Sequence, residues 1–327
     1  MTPIKNLYGL RFILAAFVCY AHVSQNQIAG KYAVCVFFVL SGFLFGLKYN
    51  SGGVKYTLKK WYSSMLKLYP AYLLTIMFFA AIGIAVMHKS IQTIGFSFAL
   101  HSIYAQSVIP YELIEPLNSP TWFLSTYFAI LFIYWLLQKT IGINTWIVVT
   151  IVALGFIGGA FIDDKHWWFY MSPYTRCVDF LIGYQVGKIM LATNKECHKG
   201  VSLEMGLILI VGITLAIRLF LDLPECIKYS YVYLPSSLFV VYVLFMIENK
   251  QILLSKFLQC KFMQKMGMLS MEIFIYHWVY ARICFYVYKD IPTWILFPIV
   301  LVLTVLTSLL MRRFFEKPIA KYIENKK

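Results

Sequence analysis

Apolar runs long enough to cross a bilayer recur from end to end of the chain, and they leave no room for a soluble domain of any size. A membrane-crossing helix needs about 20 such residues. Ten spans are predicted: Leu7 to Val23, Tyr32 to Leu47, Leu68 to Met87, Thr121 to Leu137, Ile143 to Ile162, Tyr174 to Leu191, Leu203 to Leu221, Tyr231 to Ile247, Met268 to Tyr286 and Trp294 to Met311. The fold class is therefore all-α, a polytopic membrane protein of about ten transmembrane helices forming one domain over residues 1–327.

Composition agrees with that pattern and charge adds an orientation. The chain is 61% apolar and 18% aromatic, with a mean hydropathy of +0.72, outside the range of soluble globular domains. An even number of spans puts both termini on one side. That side then carries 21 of the 29 Lys and Arg residues, which makes it cytoplasmic by the positive-inside rule; the expected location is the inner (plasma) membrane, multi-pass, with both termini cytoplasmic. The net charge of +15 follows from this asymmetry and from attraction to anionic lipid, and it gives no reason to expect nucleic acid. Arg11 lies inside the first apolar run and no small-residue cleavage site follows, so that run is kept as a span. Seven scattered cysteines without a C-x-x-C pair read as small buried hydrophobes.

Three connections exceed a turn. Lys48 to Pro70 is basic, with Lys55, Lys59, Lys60 and Lys67 alternating with aromatic and aliphatic residues, and it is read either as an interfacial amphipathic helix or as a solvated basic loop. His88 to Pro120 is the longest external loop, rich in aromatic and hydroxyl groups. Glu248 to Gly267 is again basic and internal.

The chemistry-bearing residues are the polar ones inside spans. Arg11 and His22 are eleven residues apart, close to three helical turns, so they share one face of the first span about 16 Å apart. Arg11 then lies near the cytoplasmic surface and His22 near the external one. Such groups are costly in a bilayer and usually face a polar cavity. The bland alternatives are a snorkelling arginine and a hydrogen-bonded interior histidine. A histidine in reach of a hydroxyl takes its proton, and fixed cations at the inner face hold donor phosphates. His277 lies mid-span. Arg176 and Asp179, three apart, form either a structural pair or a substrate contact. Ser41 and Gly42 are candidates for a tunnel wall or simply for close helix packing. Glu316, Lys317 and Pro318 read as a helix stop with a local ion pair. His88, His166 and His198 fall in loops with no second ligand at metal spacing, so no metal is expected. There is no Gly-rich phosphate loop and no G-x-S-x-G.

"LYGLRFILAAFVCYAH" followed by "AVCVFFVLSGFLFG" resembles the paired opening of the acyltransferase 3 membrane proteins. The likeness continues in order through "WYSSMLKLYPAYLL", "NSPTWFLSTYF", "TRCVDFLIGYQVG", "MGMLSMEIFIYHW" and "RRFFEKPIAK". The resemblance implies transfer of an acyl group, commonly acetyl, from cytoplasmic acetyl-CoA to a hydroxyl of a surface glycan such as O-antigen, capsule or exopolysaccharide. It implies His22 as the catalytic histidine with Arg11 as its partner, and Lys59, Lys60 and Lys67 at the donor phosphates. It also implies Trp122, Ser125, Arg176 and His277, with Ser41, along the tunnel or acceptor pocket. Acetyl-CoA is then a donor substrate with no bound cofactor, and the partners are a glycan or lipid-linked sugar acceptor and the lipid bilayer. Two positions depart from the family pattern: Ser63 and Ser64 replace a frequent arginine pair, and Tyr127 stands where many members have glutamate. A transporter or flippase of a glycan intermediate is the alternative, but no paired, Gly/Pro-broken halves are found.

Overall fold

The computed structural model describes residues 4–48, 53–192, 200–229, 231–248, 252–287 and 291–319, apart from the side chains of 53–58, 60–61, 64, 192, 200–208, 225–226 and 286–287. The described chain is helical. In order it forms α1 (Lys5–Ser24), α2 (Gln27–Leu47), α3 (Gly53–Ala85), α4 (Ile91–Ser102), α5 (Trp122–Thr140), α6 (Thr145–Phe161) and α7 (Pro173–Ala192). There follow α8 (Gly200–Phe220), α9 (Glu225–Tyr229), α10 (Leu234–Met246), α11 (Leu253–Gln259), α12 (Lys261–Met268), α13 (Ser270–Val287) and α14 (Thr293–Met311). Each of the ten predicted spans falls on a helix of this series.

Among the described residues, five segments are both long and apolar enough to cross a membrane: Lys5–Ser24, Gln27–Leu47, Met65–Ala85, Ser119–Thr140 and Thr293–Ile319. α6, Leu209–Phe220 and Tyr231–Met246 are apolar but shorter. α7 carries the buried Arg176 and Asp179, and α13 the buried Glu272 and His277. The outward faces are oily, with Trp146, Leu154 and Phe161 on α6 and Trp294, Val302 and Leu310 on α14 exposed, as a helix facing acyl chains requires.

α2 forms the centre. It packs along α7 so closely that a Cβ on Gly42 would collide with the Phe180 carbonyl oxygen, and one on Gly183 with that of Val39. Close backbone approach through small residues drives helix association where lipid removes the hydrophobic force. The packing reading of Gly42 therefore holds. Gly42→Ala is expected to lower the thermal midpoint in detergent by an amount equivalent to about 1–3 kcal/mol, the usual cost of overpacking; an unchanged midpoint would show that the two helices can move apart freely.

The turn from α1 to α2 is the feature that matters most for the site. Gln25 adopts a left-handed conformation (φ 59°), and the Asn26 side chain caps α2 by accepting from the Ile28 N–H. Two residues reverse the chain. His22, at the end of α1, is thereby set beside the first turn of α2.

One connection differs from expectation, and a second proves ordered. From Gly53 onward the basic segment is not a separate interfacial helix: α3 runs unbroken for 33 residues through Pro70 into the span. Proline removes one backbone donor, and the turns on either side of it continue. The 12 residues before Met65 extend the helix about 18 Å beyond the crossing segment. The long connection 88–120 is folded rather than loose. It holds α4 and short turns at Tyr111–Leu113 and Ser119–Thr121, and it buries His101, Gln106, Ser107 and Asn118. Tyr72 Oη donates to the His101 carbonyl (2.8 Å), and Asn118 Nδ2 donates to the Ile275 carbonyl (3.0 Å), tying this cap to α3 and α13.

Candidate active site

Two cavities open at opposite ends of α1. The first, about 430 Å³, is lined by Arg11 and Tyr8 of α1, Lys67 of α3, Tyr127 of α5, Glu272 of α13, and Arg312, Glu316 and Lys317 beyond α14. Four cations face two carboxylates there. Arg312 lies 3.8 Å from Glu272 and donates to the Met268 carbonyl (2.8 Å), while the Arg11 guanidinium sits 5.6 Å from the centre of the Tyr8 ring. At the last exit Arg312 acts on the nearby Glu316, and it also reaches the distant Glu272. Of the three lysines expected at donor phosphates, Lys67 lines the cavity. Lys59 is exposed two turns earlier and does not line it, and the side chain of Lys60 lies outside the described residues.

The second cavity, about 350 Å³, is lined by His22, Lys31, Tyr111, Ser119, Trp122, His166, Tyr170, Phe274 and Trp278, among others. Its walls come from α1, α2, the folded cap, the start of α5, the connection after α6, and α13. The His22 ring lies 5.2 Å from the ring of His277 and 4.9 Å from that of Trp278. His277 is fully buried. Its Nδ1 lies 2.7 Å from the Phe274 carbonyl, which can only accept, so Nδ1 carries the proton and Nε2 keeps a lone pair. That Nε2 has no hydrogen-bond partner in the structure. Two imidazoles thus stand side by side, one of them held in a defined tautomer with its basic nitrogen free.

Aromatic rings separate the cavities. Phe123 is 1% exposed and touches Phe274 (5.0 Å), Tyr127 (6.3 Å) and Trp122 (6.4 Å), so it contacts wall residues of both. Along α1 the path from Arg11 to His22 is about 16 Å, set by eleven residues of helical rise.

The remaining expected residues lie elsewhere. Ser125 is buried and saturated: it donates to the Tyr104 carbonyl (2.6 Å) and accepts from the N–H (3.1 Å) and hydroxyl (2.8 Å) of Ser107, fastening the cap to α5. Ser41 lines neither cavity. Arg176 is fully buried, 2.8 Å from Asp179, with its guanidinium 5.0 Å from the Phe38 ring centre and 5.8 Å from that of Tyr170. It contacts the second cavity's wall at Tyr170 and is not itself among the lining residues. Of the six polar side chains expected along the path or pocket, His22 and Trp122 line the second cavity and His277 stands directly behind it.

Sequence reasoning missed Lys31 and His166 at the second cavity and Arg312 at the first. The Lys31 ammonium lies 4.5 Å from the Tyr229 ring centre and 5.5 Å from that of Tyr170, and His166 packs on the same two rings at 5.0 and 5.2 Å. Burial, followed by the Lys31 charge, holds the His166 pKa below the ordinary histidine range, while Asp164 acts against them. A lysine immediately before the predicted second span was the available signal for Lys31. Nothing in the spacing marked His166: Tyr170 is four residues away, but Tyr229 and Lys31 come from distant segments.

The sequence model of a family described as an acyltransferase domain matches residues 4–313. No curated protein and no solved structure matches the chain.

Proposed function

The chain belongs to the acyltransferase 3 family of membrane acyltransferases, and from that premise we propose that it moves acetyl from cytoplasmic acetyl-CoA to a hydroxyl of a surface glycan such as O-antigen, capsule or exopolysaccharide. The observation that carries this reading is the pair of cavities on one helix, cationic at the Arg11 end and imidazole-bearing at the His22 end. Arg11, Lys67, Arg312 and Lys317 hold the donor phosphates by charge-assisted hydrogen bonds. Lysine binds them as a point charge, and the two arginines supply the forked geometry that Ser63 and Ser64 cannot.

From the phosphates the donor's arm runs inward along α1 towards His22. Phe123 and Phe274 part to admit the thioester. In the second cavity the acceptor hydroxyl gives its proton to His22 as its oxygen attacks the thioester carbonyl. The carbon–sulfur bond then breaks, and the departing thiolate takes the proton back from the imidazolium, so the histidine returns neutral. His277 stands behind His22 and is a positioning residue for it. Both termini and the Arg11 cavity are on the cytoplasmic side in this reading, in line with the lysine and arginine distribution.

The test is linked acetyl analysis of surface glycan, by proton NMR or mass spectrometry, from cells lacking the gene and from complemented cells. Acetyl that disappears and returns while glycan export is constant supports the reading; loss of export with acetylation of the remaining glycan unchanged overturns it in favour of a transporter. In purified protein, Lys67→Ala is expected to raise KM for acetyl-CoA roughly tenfold, the size of one charge-assisted hydrogen bond, with a smaller change in kcat.

A further inference from the structure

At the His22 end the charge pattern is unusual for the face that is expected to carry few cations. Lys31 lines the cavity, and the positive charges of Arg218 on α8 and Lys228 on α9 both reach it. Among the described residues no carboxylate pairs with Lys31, Arg218 or Lys228, and no carboxylate is among the groups that act on Lys31. Arg218 also has a buried Nε with no hydrogen-bond partner. Like charges gathered beside a bilayer repel one another, and an ionisable group in that setting usually marks a ligand path. The faces of Tyr170 and Tyr229 offset part of the cost for Lys31 and hold its ammonium in place. They leave its charge uncancelled.

We propose that the acceptor is anionic, carrying a carboxylate or phosphate beside the hydroxyl that is acylated, and that Lys31 binds this group with Arg218 and Lys228 adding to the field. The inference rests on the acyltransferase reading of the cavity and narrows its acceptor class. His22 and Lys31 are both in the wall of one cavity, on either side of the α1–α2 turn, so an acceptor bound there presents its hydroxyl to the imidazole and its acidic group to the ammonium. A neutral His166 on the same two tyrosines supplies a hydrogen bond without adding charge. The acid belongs either to the sugar itself, as in a uronic acid, or to the phosphate of a lipid carrier.

The experiment measures equilibrium binding to the full chain in lipid nanodiscs. The probes are a uronic-acid oligosaccharide, the same oligosaccharide with its carboxyls reduced to alcohols, and a polyprenyl-phosphate sugar, with acetyl-CoA binding measured in each preparation. An acidic probe is expected to bind wild type roughly tenfold or more tighter than the reduced one. Lys31→Met, which keeps the packing of the stem, removes the preference, and Lys31→Arg retains it. Preference for the uronic acid places the charge on the sugar; preference for the polyprenyl phosphate places it on the carrier. Failure of both the uronic-acid and the polyprenyl-phosphate probe to bind wild type more tightly than the reduced oligosaccharide, or an undiminished preference in a folded Lys31→Met protein, overturns the inference while acetyl-CoA binding leaves the enzyme reading standing. Absence of acetyl-CoA binding overturns both.

Discussion

His22→Ala lowers acetyl transfer by about 10²- to 10⁴-fold, the usual contribution of a positioned general base, while the protein keeps its thermal midpoint and its affinity for acetyl-CoA. The stability half of that expectation comes from geometry: His22 is only partly buried, it lies at the last turn of α1, and it presents its ring to a cavity rather than to a packed interior. The donor half comes from distance, since the Arg11 cavity is about 16 Å away along the helix and shares no wall residue with the second one. His277→Ala separates the roles of the two imidazoles. If His22 takes the proton and His277 orients it, His277→Ala costs less in kcat and moves the pH profile of the remaining activity. The opposite order, with His277→Ala abolishing transfer and His22→Ala nearly silent, identifies the base as His277, whose Nε2 is already free to accept. Single-turnover transfer from acetyl-CoA to a defined glycan, at matched protein levels, distinguishes these outcomes.

The helices were legible because a bilayer demands them: an apolar stretch of span length has few alternatives, and all ten predicted stretches are helical. The Arg11–His22 relation was legible for the same reason, being a matter of rise per residue on one element. What could not be read was assembly between elements. Ser125 looked like a pocket residue, yet it fastens the cap through Ser107 and Tyr104, because hydroxyls between buried backbone groups satisfy polar atoms wherever the chain leaves a helix. The basic run before Pro70 resembled a surface helix in composition. Its continuity with the span depends on α3 tolerating a proline, which composition does not reveal. Lys31 and His166 converge through Tyr170 and Tyr229, two rings nearly sixty residues apart, and no local spacing encodes that meeting. Arg312 was passed over as a helix end because its partner, Glu272, lies forty residues earlier on α13.

The second large effect concerns Arg176 and Asp179, where sequence left open whether the pair is structural or touches substrate. Both side chains have no exposed surface, and the 2.8 Å contact between them links positions three apart on α7, the helix packed against central α2. Removing one partner strands the other charge in an apolar interior, a loss of about 3–5 kcal/mol. Asp179→Ala is therefore expected to yield little folded protein, seen as a large fall in thermal midpoint or loss of the monodisperse peak on size exclusion in detergent. Removing both charges is different. Arg176→Met with Asp179→Leu keeps the volume filled and leaves no unpaired charge, so its stability should return close to that of wild type. The activity of that double variant then decides the role. Arg176 stands behind Tyr170 and does not line the second cavity, so a purely structural pair leaves the KM for acceptor near the wild-type value once folding is restored. A folded double variant with acceptor KM raised tenfold or more would instead show that the guanidinium acts on the acceptor through the tyrosine, and the pair would have to be counted as part of the site.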